Sequence, residues 1–259
     1  MSSFSFTHSK TESNILGISV WRLEAPNLVS SEELKGLILE NQCDLVRLRI
    51  PSSFEFTHQI IDEAGFSYYH SGTICVFETD MELQPDQPEF INQEVKYRLC
   101  RKEDHQILTE LIRSTWCHYP IGYYRSSNLS HILTKQKEME CLTSYYCENF
   151  CGTVSNQRMW ILELENRPVG FVSAQIQENG IISTIAGILP EFQRNGLCKD
   201  MISWIKLQCL NNSKKWFITG SRVENPASWK TFLKCGLTPT RFDHVYHIEP
   251  MLGLIASEY

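Results

Sequence analysis

The sequence predicts an α/β chain: a mixed β-sheet with helices on both faces, preceded by a smaller α/β domain. Three observations carry this. From Glu94 to Ile248, apolar runs of strand length alternate with segments in which apolar residues recur at helical spacing. The run Ile181 to Leu189 is nearly all apolar, as a central strand covered on both faces would be. A polar stretch with two prolines, Leu83-Gln84-Pro85-Asp86-Gln87-Pro88, reads as a linker and sets a boundary between residues 1–88 and 89–259.

Before the linker the pattern is mixed: a strand over Leu45 to Ile50, a helix over Phe56 to Ala64, then Gly65 and a strand over Thr73 to Phe77. After it, Glu94 to Leu99 alternates as a strand. Asp104 is placed to cap a helix in which Ile107, Leu108, Leu111, Ile112 and Thr115 share one face. Leu129 to Phe150 reads as helical. Met159 to Leu164 is a strand, Asn166-Arg167 a turn and Pro168 to Gln177 another strand, with Asn179-Gly180 as a hairpin signal because both residues tolerate positive φ. The central strand then runs through Pro190 to Gly196 into a helix bearing Cys198, Met201, Ile202, Ile205 and Cys209 on one face. A strand from Trp216 to Gly220, a helix from Ala227 to Lys234 stopped by Cys235-Gly236, and a strand from His244 to Ile248 complete the order.

Composition narrows the function classes. The 259 residues carry a net charge of −6, with 5 basic and 14 acidic residues up to Glu89 and 19 basic against 16 acidic from Phe90 onward. The overall sign argues against a nucleic-acid binder, while the positive second part suits an anionic small molecule. No apolar run reaches the roughly 18 residues that span a bilayer. Met1 to Ser13 lacks the order of a secretory signal, so the expectation is a cytoplasmic protein without a membrane partner. The ten cysteines form no Cys-x-x-Cys pair; Cys147 and Cys151 share a helix face without a matching second pair, so they read as reduced thiols and no metal site is expected.

The junction at Pro190 to Lys199 offers chemistry. A helix start presents about four unpaired backbone N–H groups and a partial positive charge. A sharp loop there can wrap those groups around a pyrophosphate, with Gly196 allowing close approach and Arg194 and Lys199 adding cations. An ordinary strand-to-helix turn with a helpful glycine fits the loop alone equally well.

The stretch Ile188-Leu189-Pro190-Glu191-Phe192-Gln193-Arg194-Asn195-Gly196-Leu197-Cys198 resembles the central motif of the GNAT superfamily of N-acetyltransferases, Gln/Arg-x-x-Gly-x-Gly/Ala after a strand ending in Val-x-Pro. Gln193 and Gly196 match, and Cys198 departs where Gly or Ala is usual. Asn225 followed by Phe232, Lys234 and Gly236-Leu237 resembles the family's Asn…Tyr-x-Lys-x-Gly-Phe segment. The resemblance runs from Glu94 to Ile248. It implies the acetyltransferase fold, with a splayed sheet, and acetyl-CoA as co-substrate. It also implies residue roles. The backbones of Ala186 and Ile188 would pair with the pantetheine amides. The N–H groups of Arg194, Asn195, Gly196, Leu197, Cys198 and Lys199 would hold the pyrophosphate, and Asn225 would contact the pantetheine arm. Phe232 stands where many members carry a tyrosine that protonates the leaving thiolate. Asn14-Ile15-Leu16-Gly17-Ile18 is similar to the entry of an amino-sugar nucleotide (TDP-fucosamine) acetyltransferase subgroup with a truncated N-terminal domain. Tyr119 to Arg125 sits where that subgroup places its acceptor loop.

The expected reaction is direct attack of an amine on the thioester, with the Ile188 N–H polarising the carbonyl. Phe232 cannot donate a proton, so the general acid is sought at His247, His244 or Tyr246 on the last strand, where alternation puts His244 on one face with Tyr246 and His247 on the other with Val245. His247 is set first because the related subgroup often ends this strand with a histidine. Tyr123, Tyr124 and Arg125 could stack a base and hold a phosphate, or simply cover the core from an exposed loop. Glu163 could orient a water or remain a solvated carboxylate. The expected partner is a small-molecule amine, with the oligomeric state open and a homodimer among the options. A protein or small-molecule amine acetyltransferase of other specificity, and a non-catalytic acyl-CoA-binding module, stay open as alternatives.

Overall fold

Backbone pairing follows the apolar runs and extends most of them. A computed structural model describes residues 4–25, 30–54, 57–83, 87–116, 132, 134–152 and 156–250. It divides into two compact units, neither a continuous stretch of chain. The first is Met1–Ile74, Gly122–Cys141 and Arg241–Tyr259; the second is Cys75–Ile121 and Leu142–Thr240.

The first unit holds β1 (Ser5–His8), α1 (Lys10–Leu16), β2 (Val20–Glu24), α2 (Ser31–Glu40), β3 (Leu45–Pro51), α3 (Thr57–Ala64) and the start of β4 (Ser67–Asp80). Strand β1 pairs antiparallel with β2, and β2 pairs parallel with β3. Alternation along β3 sends Val46, Leu48 and Ile50 to one face. There they pack with Leu34 and Ile38 of α2 and Ile61 and Ala64 of α3. Leu45 and Arg47 face the other way. Leu45 meets Leu16 and Val20, while Arg47 reaches the buried carboxylate of Glu12 at 2.6 Å. Burial raises the Glu12 carboxyl, but the Arg47 and Arg22 guanidiniums outweigh it and hold the group below the usual carboxylate range.

The second unit holds the end of β4, then β5 (Lys96–Leu99), α4 (His105–Trp116), β6 (Gln157–Leu164), β7 (Arg167–Ile176), β8 (Gly180–Ile188), α6 (Leu197–Asn211), β9 (Trp216–Arg222) and α7 (Pro226–Lys234). Helix α5 (Lys135–Phe150) has residues in both units, as does β10 (Thr238–Glu249), whose Asp243 to Ile248 pair antiparallel with β3 in the first. Strands β5 to β8 form an antiparallel meander, and β8 and β9 run parallel, so the sheet is mixed. Val172 and Ala174 of β7 pack with Met201, Ile202, Ile205 and Cys209 of α6. Phe171 points to the opposite face, toward Thr115 of α4 across Gly187. Helices therefore cover both faces, as the sequence predicts. No helix among the described residues is long and apolar enough to cross a membrane.

Three local expectations need correction. Asp104 is not the helix cap. It ends a 3-10 turn, Lys102–Asp104, ahead of α4, and its carboxylate accepts from the Arg101 backbone N–H at 2.8 Å and from Arg98 at 2.6 and 2.9 Å. The bond to Arg101 N–H is half of a local capping box whose N-cap is Arg101, and the ion pair with Arg98 adds to it. The β6–β7 turn consists of Glu165 and Asn166, both left-handed, while Arg167 opens β7. At the next hairpin Gly180 has no positive φ and already belongs to β8. Its missing side chain serves packing, since a Cβ there would stand 2.0 Å from the Trp216 ring. The expected helix start at Leu129 lies outside the described residues.

Gly180→Ala should therefore overpack the β8–β9 contact and cost about 1–3 kcal/mol of stability. Urea unfolding measures this; an unchanged midpoint would mean that Trp216 can move aside.

Candidate functional site

The site is set by where two parallel strands stop pairing. β8 and β9 pair over Gly180↔Trp216, Ile181↔Phe217 and Ile182↔Ile218 and no further, although β8 continues to Ile188 and β9 to Arg222. The cause lies on the other side of β8. Its register with β7 passes from Val172↔Ala186 to Ala174↔Ser183, so Thr184 and Ile185 together oppose the single residue Ser173. This is a β-bulge, which bends the strand that carries it. The Ser173 hydroxyl stabilises the bulge: it lies 3.0 Å from Ile185 N, 3.1 Å from Ile185 O and 2.7 Å from Thr184 Oγ1.

Beyond the bulge the register decides which backbone groups face the opening. Leu189 N donates to Val169 O at 2.9 Å, which makes that pair, and Phe171↔Gly187 by alternation, hydrogen-bonded pairs. Gly170↔Ile188 and Val172↔Ala186 are then the non-bonded pairs, whose N–H and C=O groups point away from β7, into the gap beside β9. Ala186 and Ile188 thus turn their backbone groups to an open edge. The Ile188 carbonyl is already engaged by Gln193 Nε2 at 3.0 Å, so at this residue the N–H faces the gap alone.

The strand leads through a 3-10 turn, Pro190–Phe192, to extended Gln193 and left-handed Arg194, with φ 67°. Gly196, with φ 84°, is the N-cap of α6 and supplies no side-chain cap. Left-handed residues on either side of Asn195 turn successive N–H groups toward one concave side, the geometry of an anion nest. Among the described residues, no protein acceptor meets the backbone N–H groups from Arg194 to Lys199. Arg194 is exposed and Lys199 half-buried, so their charges border the same loop. The reason for glycine at 196 differs from the one expected. A Cβ would meet the Ile91 side chain at 2.7 Å, and the left-handed backbone disfavours other residues in any case. Glycine is demanded by the protein itself before any ligand is considered.

The second motif forms the next wall of the unit. Asn225 is the N-cap of α7: its Oδ1 accepts from Ser228 N at 3.3 Å, and its Nδ2 donates to Ser228 Oγ at 2.7 Å. Phe232 is 7% exposed and packs edge-on against Phe77, with ring centroids 5.2 Å apart. Burial pushes the Cys198 thiol up to about 11, so it stays protonated at neutral pH and behaves as a small packing residue between α6 and α7. Glu163 pairs with Arg98 at 2.7 Å.

The candidates for the general acid stand in the first unit, and strand alternation holds. His244 and Tyr246 share a face, with His244 Nδ1 at 2.9 Å from Thr73 Oγ1 and Tyr246 edge-on to Tyr68. His247 points to the other face, is 2% exposed, and hydrogen-bonds through Nδ1 to the Tyr69 hydroxyl. Tyr123, Tyr124 and Arg125 lie outside the described residues. Among the described residues, no group of three or more His, Cys, Asp or Glu could hold a metal ion. Sequence reasoning missed Ser173, Asn92 and Asp200. A serine in a strand and an aspartate in a first helical turn are ordinary locally, and only tertiary partners mark them.

Comparison with known proteins follows the geometry. Residues 116–237, just under half of the chain, match the model of the acetyltransferase (GNAT) family. No curated protein matches the sequence. Among solved structures, a conserved protein of unknown function from Staphylococcus epidermidis is 13% identical with a TM-score of 0.62, covering 92% of this chain and 88% of that one. A GCN5-related N-acetyltransferase from Kribbella flavida is 11% identical with a TM-score of 0.58, over 90% of this chain and 81% of that one. Another from Sphaerobacter thermophilus is 11% identical with a TM-score of 0.56, over 88% and 72%. At such identities these likenesses speak for the fold. The chain has the GNAT acetyltransferase fold, and residues 116–237 are the segment that the family's sequence model recognises.

Proposed function

We propose that the protein transfers an acetyl group from acetyl-CoA to a primary amine by direct attack. The observation that carries this reading is the nest of unpartnered N–H groups from Arg194 to Lys199 at the end of an open strand edge. A pyrophosphate suits the nest, and a pantetheine amide suits the edge groups of Ala186. Asn225 would lie along the pantetheine arm while capping α7. The amine nitrogen attacks the thioester carbon, the C–N bond forms and the nitrogen gives up one proton; the C–S bond breaks, and coenzyme A leaves as a thiolate that takes up a proton. The Ile188 N–H is the donor we assign to the carbonyl oxygen. As acceptor class we carry forward an amino-sugar nucleotide, which rests on the resemblance of the N-terminal entry and of the loop bearing Tyr123, Tyr124 and Arg125.

A second reading, a non-catalytic acyl-CoA-binding module, is favoured by one observation: Phe232 is packed in the core and has no proton to give. Turnover separates the two. Incubation with acetyl-CoA and a panel of amines should yield free thiol and acetylated amine; tight binding without product would sustain the module instead.

The proton source can be read from pH–rate profiles. An acid must be protonated to act, so its contribution is lost as pH rises through its pKa. An imidazolium loses its proton at far lower pH than a phenol, so a histidine acid gives a maximal rate that falls earlier as pH rises. Burial raises the Tyr246 hydroxyl above the usual tyrosine value, so a Tyr246 acid holds the rate level to higher pH than a histidine does. We expect removal of one of His247, His244 or Tyr246 to lower the maximal rate at least about tenfold. Phe232→Ala should instead cost about 3–5 kcal/mol of stability, with little change in the chemical step of the folded protein. Unchanged maximal rates in all three single variants would leave water as the proton source.

A further inference from the structure

Just after the proline-containing stretch, the chain crosses the start of α6 as an irregular strap. Asp200, in the first turn of that helix, is 0% exposed. A buried carboxylate is costly unless donors surround it. Here the strap supplies three: Ile91 N at 2.7 Å, Asn92 N at 3.0 Å and Asn92 Nδ2 at 2.6 Å. One turn on, Ser203 Oγ donates to Glu89 O at 2.8 Å. The Asn92 amide carries two hydrogens. Its Nδ2 also donates to the backbone carbonyl of Asn195 at 2.9 Å, inside the loop that forms the nest.

That last bond has a directional consequence. A peptide unit is planar and trans, so its C=O and N–H point in opposite directions. Asn92 draws the Asn195 carbonyl toward the strap, and the N–H of Gly196 in the same peptide must then face the other way. Gly196 can hold this arrangement because its backbone is left-handed and its missing Cβ makes room for Ile91 of the same strap. The carboxylate of Asp200 is turned to the strap as well. The negative charge in the first turn of α6 is thereby spent on Ile91 and Asn92 rather than opposing an anion at the nest.

We propose that Asn92, held in place by Asp200, is a positioning residue for the phosphate-binding loop, fixing the Asn195–Gly196 peptide so that its N–H faces the pyrophosphate of coenzyme A. This rests on the acyl-CoA reading above. It adds that the discrimination between coenzyme A and a ligand without a pyrophosphate is set partly from outside the motif, by a residue about a hundred positions earlier in the chain.

The test uses the full chain and two ligands, coenzyme A and pantetheine, which lacks the pyrophosphate. Asn92→Ala leaves the backbone donors of Ile91 and Asn92 on Asp200. It should weaken coenzyme A binding by about tenfold, the worth of one hydrogen bond to a charged group, and leave pantetheine binding unchanged. In turnover, KM for acetyl-CoA should rise while kcat at saturation holds. Asp200→Asn, which turns an amide toward backbone donors, should act in the same direction; should it not fold, Asn92→Ala decides alone. Equal weakening of both ligands, or of neither, would reduce Asn92 to a structural contact and overturn the proposal. Failure of the unsubstituted protein to bind coenzyme A would overturn the acyl-CoA reading and this inference together.

Discussion

The site depends on a single extra residue. Because Thr184 and Ile185 share the place opposite Ser173, β8 bends at the point where its pairing with β9 ends at Ile182↔Ile218. Without the bulge, two parallel strands of this length would continue their ladder and satisfy each other's backbone groups. With it, Ala186 keeps its N–H and C=O, and Ile188 its N–H, directed into the gap. The bulge is itself made affordable by one hydroxyl, since Ser173 meets the N–H and carbonyl of Ile185 that the interrupted ladder leaves over. A buried polar group without a partner costs about 1–3 kcal/mol, so this one side chain decides whether the bulge is tolerable.

The loop after β8 continues the same logic. It leaves donors without acceptors, this time by left-handed turns at Arg194 and Gly196. Such groups must be met by water or by a ligand. A pyrophosphate meets several at once, with Arg194 and Lys199 adding charge attraction that weakens with salt. Asp200 is saturated by the strap, Asn225 by Ser228, and Cys198 stays a neutral thiol. The unmet backbone donors of the loop thus lie where the anion would sit.

How much of this was legible depended on the range of the interaction. The strand–loop–helix at Ile188 to Lys199 could be read because its signal is local: an apolar strand, a proline, a glycine and a helical face follow one another in sequence. The same holds for the alternation that separates His244 from His247. Interactions between distant segments were not legible. Asp104 looked like the N-cap, but that position falls on Arg101, and Asp104 completes a capping box from the third position while it pairs with Arg98. Gly180 looked like a turn residue, but its reason is the ring of Trp216. Gly196 was read as room for a ligand, whereas Ile91 already stands there. Nothing near Ser173 or Asn92 in the sequence announces a bulge or a strap. The buried Glu12–Arg47 pair of the first unit was hidden in the same way, as two charged residues on elements that otherwise alternate normally.

The central claim is that coenzyme A is held by backbone donors at the open edge of β8 and the loop behind it. Amide exchange followed residue by residue tests it most directly. On adding coenzyme A, the amides of Ala186, Ile188 and Arg194 to Lys199 should become strongly protected, while those of Phe171 and Gly187, already paired in the sheet, should change little. Coenzyme A binding that protects a different stretch and leaves these amides exchanging as before would contradict the account.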